Sequence, residues 1–297
     1  MTSSRPRSSS RARTHPRRRR RFDDDEPLPT RRRAEVEPDG PPTGDRWSTW
    51  AGAAHGPEPH PAWLVVAEGA VDTELGVLKT GKEADVHLLE RAVPYGPSCL
   101  LAAKRYRSAE HRAFHRDAAY LEGRRVRRSR ETRAMASRTA FGRDLLAGQW
   151  AAAEFAALGS LHTAGVPVPY PVQYDGTEVL LEFLGTPDGT AAPRLAACRP
   201  GPGRLRDWWE QLTTALVGLA RLGWTHGDLS PYNVLVDDDR LVLIDLPQVV
   251  DLVGNPHGHD VLVRDVRRIG EWFVARGAGV DPEALFHRLV DEAGLVP

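Results

Sequence analysis

The sequence is short of lysine. It has 40 basic residues, and only Lys79, Lys82 and Lys104 among them are lysines. All three fall within one stretch near the first third of the chain. Lysine is a compact point charge on a thin stem and suits a narrow phosphate pocket, where the broad arginine fork does not fit. Cysteine is equally scarce. Cys99 and Cys198 are the only two, without metal-ligand spacing, which excludes a disulfide framework and a thiolate metal site and suits a reducing cytoplasm. No apolar run approaches the length of about 18 residues that a membrane-spanning helix needs. Net charge is also missing: 40 basic residues balance 40 acidic ones.

The balance hides a segregation. Twelve arginines lie between Arg5 and Arg33, interleaved with Ser and Pro and interrupted by "FDDDEP". Such a block buries too little apolar surface to offset its ordering entropy, so residues 1–60 read as a disordered basic tail. The tail either attracts RNA, a ribonucleoprotein or an acidic protein, or is simply solvated. It lacks the apolar segment of a cleaved targeting peptide.

From residue 61 the pattern changes. Ala62–Val71 reads as a first strand or edge segment. "LGVLKTGKEADVHLLE" reads as strand, Gly turn, strand, and "SCLLAAKRYR" as a further strand. Residues 108–147, rich in Arg, Ala and Glu, show no apolar stripe and read as a mobile or helical insertion. Trp150, Glu154, Ala157 and Leu161 share one face of a helix that stops at Gly165. Glu154 is thus an inward carboxylate and requires a cation. A buried-type strand starts at Glu178, and a Gly/Pro/Ala-rich connection then leads to an amphipathic helix ending at Gly223. A hairpin turns across Asp237 to Arg240, and two more helices follow. Strands first and helices later make an α+β plan of two lobes, with a boundary near residue 185.

The stretch "HGDLSPYNVLV" carries the chemistry. Asp228 and Asn233 have the spacing of a catalytic base and a metal-binding amide in phosphoryl transfer, and Asp245 closes the hairpin that follows. Their oxygens suit Mg²⁺, with Mn²⁺ as a substitute. Lys104, at a strand end, can hold the α- and β-phosphates of ATP, with Glu154 as its partner. Backbone N–H groups of Thr80, Gly81 and Lys82 can approach phosphates at the strand turn. His226 reads as a packed histidine. His257, His259 and Asp260 could suggest a metal site, but Asp260 reads better as a helix N-cap. Asp265 reads as a tie beneath the catalytic loop.

Together these segments resemble the RIO family of atypical serine kinases. "KTGKEADVHLL" is similar to its phosphate loop, "LLEFLG" to its hinge, "HGDLSPYNVLV" to its catalytic loop and "LIDLPQVV" to its metal-binding loop, over about Val71 to Phe273. The resemblance implies a bilobal protein-kinase-like fold, with an N-lobe over 61–184 and a C-lobe over 185–297, of the branch without a winged-helix domain. It implies an ATP- and Mg²⁺-dependent protein serine/threonine kinase able to phosphorylate itself, with Glu182 and Leu184 bordering ATP. Ser108, Ser129, Thr132, Ser137 and Thr139 are candidate autophosphorylation sites on that analogy. It also implies an alternative, an ATPase switch on RNA–protein particles with Asp245 as phosphoryl acceptor. A small-molecule phosphotransferase shares the H-G-D-x-x-x-x-N loop, but the TGKEA turn argues against it, and the complete Lys-Glu-Asp-Asn-Asp set argues against an inactive scaffold. The chain departs from the family pattern at Lys79, where Ser is usual, at His87, where an aromatic is common, and at Pro247, where a small polar residue follows the metal-binding Asp.

Overall fold

The computed structural model describes residues 43–107, 140–247 and 249–295, with the backbone alone at 140–145. Residues 1–42 and 108–139, with the candidate autophosphorylation sites, lie outside the described residues.

Seven strands form one sheet in the order β1-β3-β4-β5-β7-β6-β2. They are β1 (Arg46–Trp47), β2 (Ala54–His55), β3 (Val71–Thr80), β4 (Ala84–Ala92), β5 (Ser98–Tyr106), β6 (Pro171–Asp175) and β7 (Glu178–Glu182). All neighbours are antiparallel. β1 and β2 are adjacent in sequence yet pair with opposite edges, β3 and β6. A flat sheet of this width would separate its outer strands by about 29 Å. The chain from Trp47 to Ala54 reaches at most about 25 Å, and less because Trp50–Gly52 is a 3₁₀ turn. The sheet must therefore curl, and residues 46–55 form a belt across its open side.

The belt corrects the tail boundary expected at residue 60: from residue 43 onward the chain is part of the fold. Its polar side chains have buried partners. Arg91 and Asp72, both fully buried, form a two-pronged ion pair at 2.7 and 3.0 Å. Arg91 also donates to Gln173 (2.9 Å), which donates to Thr49 of the belt (2.7 Å). A second correction concerns Ala62–Val71, where only Val71 is in a strand.

Side chains alternate across β5. Leu101 and Ala103 face one apolar cluster with Leu89, Val172 and Leu180, while Tyr106 faces another with Trp150 and Ala151 of helix α1 (Ala140–Thr163). Lys104 shares the Tyr106 face. Helix α1 starts ten residues before the expected Trp150, so residues 140–147 of the expected insertion are helical and continuous with it. Its far end, at Leu158 and Leu161, joins the core of the helical part. Glu154 is midway, where both cores meet.

That helical part is built on α2 (Pro202–Arg221), whose Leu205, Trp208, Leu212, Ala215 and Leu219 are buried at helical spacing. Around it pack the hairpin β9 (Val234–Asp237) and β10 (Arg240–Leu243), the short pair β8 (Trp224–Thr225) and β11 (Val250–Asp251), and helices α3 (Gly258–Val274) and α4 (Pro282–Glu292). Gly223 ends α2 with φ +74°, a left-handed conformation that glycine adopts without a Cβ penalty. It turns the chain straight into the loop that carries Asp228. The architecture is α+β and bilobal, a β-rich part beside a mainly helical one.

Candidate active site

The hairpin fixes the two candidate metal ligands. Val234 pairs with Leu243, and one step further out the Ile244 N–H donates to the Asn233 carbonyl at 3.0 Å. Asn233 and Asp245 therefore lie at the same open end of the hairpin. The Asn233 side-chain amide donates to the Asp228 carbonyl (2.9 Å), which leaves its oxygen as the acceptor end. Asp245 has φ +66°, an uncommon conformation for a residue with a Cβ and a mark of a constrained site.

Asp265, buried in α3, ties the loop around Asp228 from below, as expected. It accepts from the N–H groups of Gly227 (2.7 Å) and Leu229 (3.1 Å) and from the Thr225 hydroxyl (3.1 Å). His226 is buried and structural. Its Nδ1 accepts a long bond from the Asp228 N–H (3.4 Å), so Nε2 carries the proton and donates to the Ile244 carbonyl (3.1 Å). Burial depresses its pKa and keeps the ring neutral. The histidine thus links the loop of Asp228 to the segment after β10 that carries Asp245.

The cation expected beside Glu154 is Lys104. Its Nζ lies 2.6 Å from Glu154 Oε1 and 2.8 Å from Asp245 Oδ1. Lys104 is 8% exposed and Glu154 1%. Burial alone would discharge the ammonium, but the two carboxylates outweigh it and hold the lysine pKa above its usual range. Glu154 has two further donors, the Tyr106 hydroxyl (2.5 Å) and the Leu246 N–H (3.2 Å). A buried carboxylate with three donors is tolerated where an unpaired one is not. Burial raises the Asp245 pKa and the lysines lower it; the lysines prevail, bringing it down to about 2. Lys79 is the second of these, with Nζ 3.7 Å from Asp245 Oδ2.

Thr80 and Lys82 are exposed at the β3–β4 turn. Gly81 is required there, because a Cβ would meet the Ala84 carbonyl oxygen at 2.7 Å. Glu182 and Leu184 are engaged differently from the cluster. The Glu182 carboxylate accepts from the Tyr170 N–H (3.0 Å), and the Leu184 carbonyl accepts from the Ala192 N–H. Asp260 is not the helix cap: His257 precedes α3, and Asp260 is an exposed residue of its first turn. Three contributors went unforeseen. Tyr106 lies two residues after Lys104 and so on its face of the strand. Arg268 donates to Asp228 Oδ1 at 2.9 Å, and Arg264, one helical turn earlier, donates to the Gly227 carbonyl.

Among the described residues, no three His, Cys, Asp or Glu side chains form a metal cluster. One carboxylate and one amide oxygen fit Mg²⁺, which is commonly held by one or two protein oxygens together with substrate phosphates. The family model of the RIO domain matches residues 101–285. The chain belongs to the RIO family. Among its relatives is the RIO-type serine/threonine-protein kinase Rio1 of Haloferax volcanii, 32% identical over 233 residues, which are 78% of this chain and 74% of the relative. Another is serine/threonine-protein kinase RIO1 of Chaetomium thermophilum, 30% identical over 238 residues, 74% of this chain but only 43% of that protein. The Rio2 kinase of Chaetomium thermophilum, solved as an ADP/Mg²⁺-phosphoaspartate complex, shares the fold with a TM-score of 0.53 at 20% identity, over 75% of this chain and 63% of that one. The enzyme class is that of the RIO-type serine/threonine-protein kinases.

Proposed function

We propose that this RIO chain transfers the γ-phosphoryl group of ATP to a serine or threonine hydroxyl of a protein, including its own 108–139 segment. The observation that carries the reading is Lys104 bridging Glu154 and Asp245 beside Asn233, with Asp228 at the mouth. ATP with Mg²⁺ supplies an electrophilic phosphorus and a leaving group. Asp228 takes the proton of the attacking hydroxyl as the new O–P bond forms and the bond to the β-phosphate oxygen breaks. Asn233 and Asp245 would hold the metal, Lys104 the inner phosphates, and the backbone of Thr80, Gly81 and Lys82 the outer ones. Glu182 and Leu184, where β7 leaves the sheet, would border the adenine. The arginine-rich tail is suited to RNA or a ribonucleoprotein, and the free Cys99 and Cys198 suit a reducing cytoplasm.

One observation favours a second reading, an ATPase switch. Arg268 occupies Oδ1 of the base, which leaves one carboxylate oxygen, Oδ2, for a substrate hydroxyl. In this reading an Asp245 oxygen attacks the γ-phosphorus, ADP leaves, and water then hydrolyses the acyl phosphate. Incubation with γ-labelled ATP and Mg²⁺ beside Asp228→Asn and Asp245→Asn separates the two. Stable serine or threonine label, lost in both variants, supports the kinase. Free phosphate with hydroxylamine-labile label supports the switch. No turnover and no ATP binding would refute both.

A further inference from the structure

Strand β3 contains two register shifts, between Glu74 and Gly76 and between Val77 and Lys79, and the second re-aims one side chain. Val77 pairs with His87, but Lys79, two residues on, pairs with Val86, the very next residue of β4. Leu78 is the extra residue of a bulge, and a bulge reverses the face on which the following side chains point. Continued from the Val77–His87 pair, regular pairing would put Lys79 opposite Asp85. The shifted register puts it opposite Val86, which on its other side pairs with Lys104. Lys79, Val86 and Lys104 therefore form one row across three strands, and the stems of both lysines converge on Asp245.

The two lysines are not equivalent. Lys104 is buried against Glu154 and takes the inner oxygen, Oδ1. Lys79, with its side chain 37% exposed, takes the outer oxygen, Oδ2, and is adjacent to the turn at Thr80–Lys82. Asp245, itself 33% exposed, has a cation on each oxygen. The outer cation borders the place where the terminal phosphates would lie.

We propose that Lys79 is a built-in counter-cation of the phosphate site. It bonds the outermost phosphate of ATP and balances the charge of Asp245, so ATP binding in this chain depends only weakly on a divalent cation. The inference rests on the ATP-site reading above and assigns Lys79 a nucleotide-binding role. Lys104 interacts equally with di- and triphosphates, whereas Lys79 discriminates in favour of the triphosphate.

The test measures dissociation constants of ATP and ADP by isothermal titration, in excess EDTA and in excess Mg²⁺. The proteins are the full chain, Lys79→Met and Lys79→Arg. Methionine keeps the stem and removes the charge, and arginine keeps the charge. In EDTA, Lys79→Met should weaken ATP binding about ten-fold or more and ADP binding less than about three-fold, as expected for losing one close charge at a half-exposed site. The gain in ATP affinity on adding Mg²⁺ should be at least about five-fold larger in Lys79→Met than in the unsubstituted chain, with Lys79→Arg in between. Thermal melting without nucleotide checks that the variants fold. An unchanged Mg²⁺ dependence in a folded Lys79→Met protein would overturn the role of Lys79 while leaving the ATP site standing. Failure of the unsubstituted chain to bind ATP even with Mg²⁺ would refute both.

Discussion

Neutralising both members of the buried Lys104–Glu154 pair should destabilise the protein by clearly less than the sum of the two single neutralisations. Lys104→Met leaves a carboxylate that is 1% exposed with only the Tyr106 hydroxyl and the Leu246 N–H. Uncompensated buried charges cost about 3–5 kcal/mol, and two neutral donors put this one near 3. Glu154→Gln leaves Lys104 with Asp245, which is partly solvated, so roughly 2 kcal/mol is expected. The double variant places a thioether beside an amide that Tyr106 and Leu246 still satisfy, at a cost of about 2–3 kcal/mol. The coupling energy is then about 2–3 kcal/mol, and Lys104→Met alone should lower Tm by roughly 6–12 °C. Urea unfolding followed by tryptophan fluorescence measures all four proteins. Single costs that add to within about 0.5 kcal/mol in the double variant would refute the paired-charge reading.

Other changes have defined outcomes. Asp265→Asn turns an amide N–H toward donors that Asp265 now accepts, so we expect about 2–3 kcal/mol of lost stability. Slower phosphoryl transfer at unchanged ATP affinity should accompany it, checked by melting and a labelled-ATP assay. The Asp245 carboxyl is depressed from 3.8 to about 2, so its ionised form stabilises the fold above pH 4, and that contribution is lost as pH falls through 2. Allowing for solvent screening it amounts to about 1 kcal/mol, and Asp245→Asn should remove that part of the acid slope in urea midpoints. A chain beginning at residue 43 should melt within about 2 °C of the full one. A chain beginning at residue 61 loses β1, β2 and the Thr49 and Arg46 contacts, and should melt at least 6 °C lower, given roughly 1 kcal/mol per lost hydrogen bond.

The sequence is most readable where a charge interrupts an apolar pattern. Glu154 and Asp265 lie on the buried faces of periodic helices, and Lys104 lies within an apolar strand. Burial forces such groups to find partners, so their roles follow before any coordinates. Asp228, Asn233 and Asp245 are legible from their spacing around one hairpin. Pairing between strands is another matter. The contact of Lys79 with Asp245 depends on a one-residue bulge, and nothing in residues 75–80 announces which residue is extra. The Arg268–Asp228 pair joins positions 40 residues apart on an exposed face, without a periodic signal. The belt looks like tail because its strands are two residues long and are held by edges supplied elsewhere. Helix α1 begins in "AFGRDLLAG", where no apolar stripe marks the start.

The belt also dictates an order of assembly. Ala54 leaves the ribosome early, yet its partner Tyr174 comes 120 residues later. At about 5–20 residues per second, Ala54 waits roughly 6–24 s for that partner to be synthesised. Until then β1 can dock on β3, but the other end of the belt has no edge to join. The curled sheet can close only after β6 and β7 have appeared, so closure is a late, non-local step with a correspondingly high loop-closure cost. Chains interrupted before residue 175 should therefore display open strand edges, the feature by which a nascent sheet recruits the wrong neighbour.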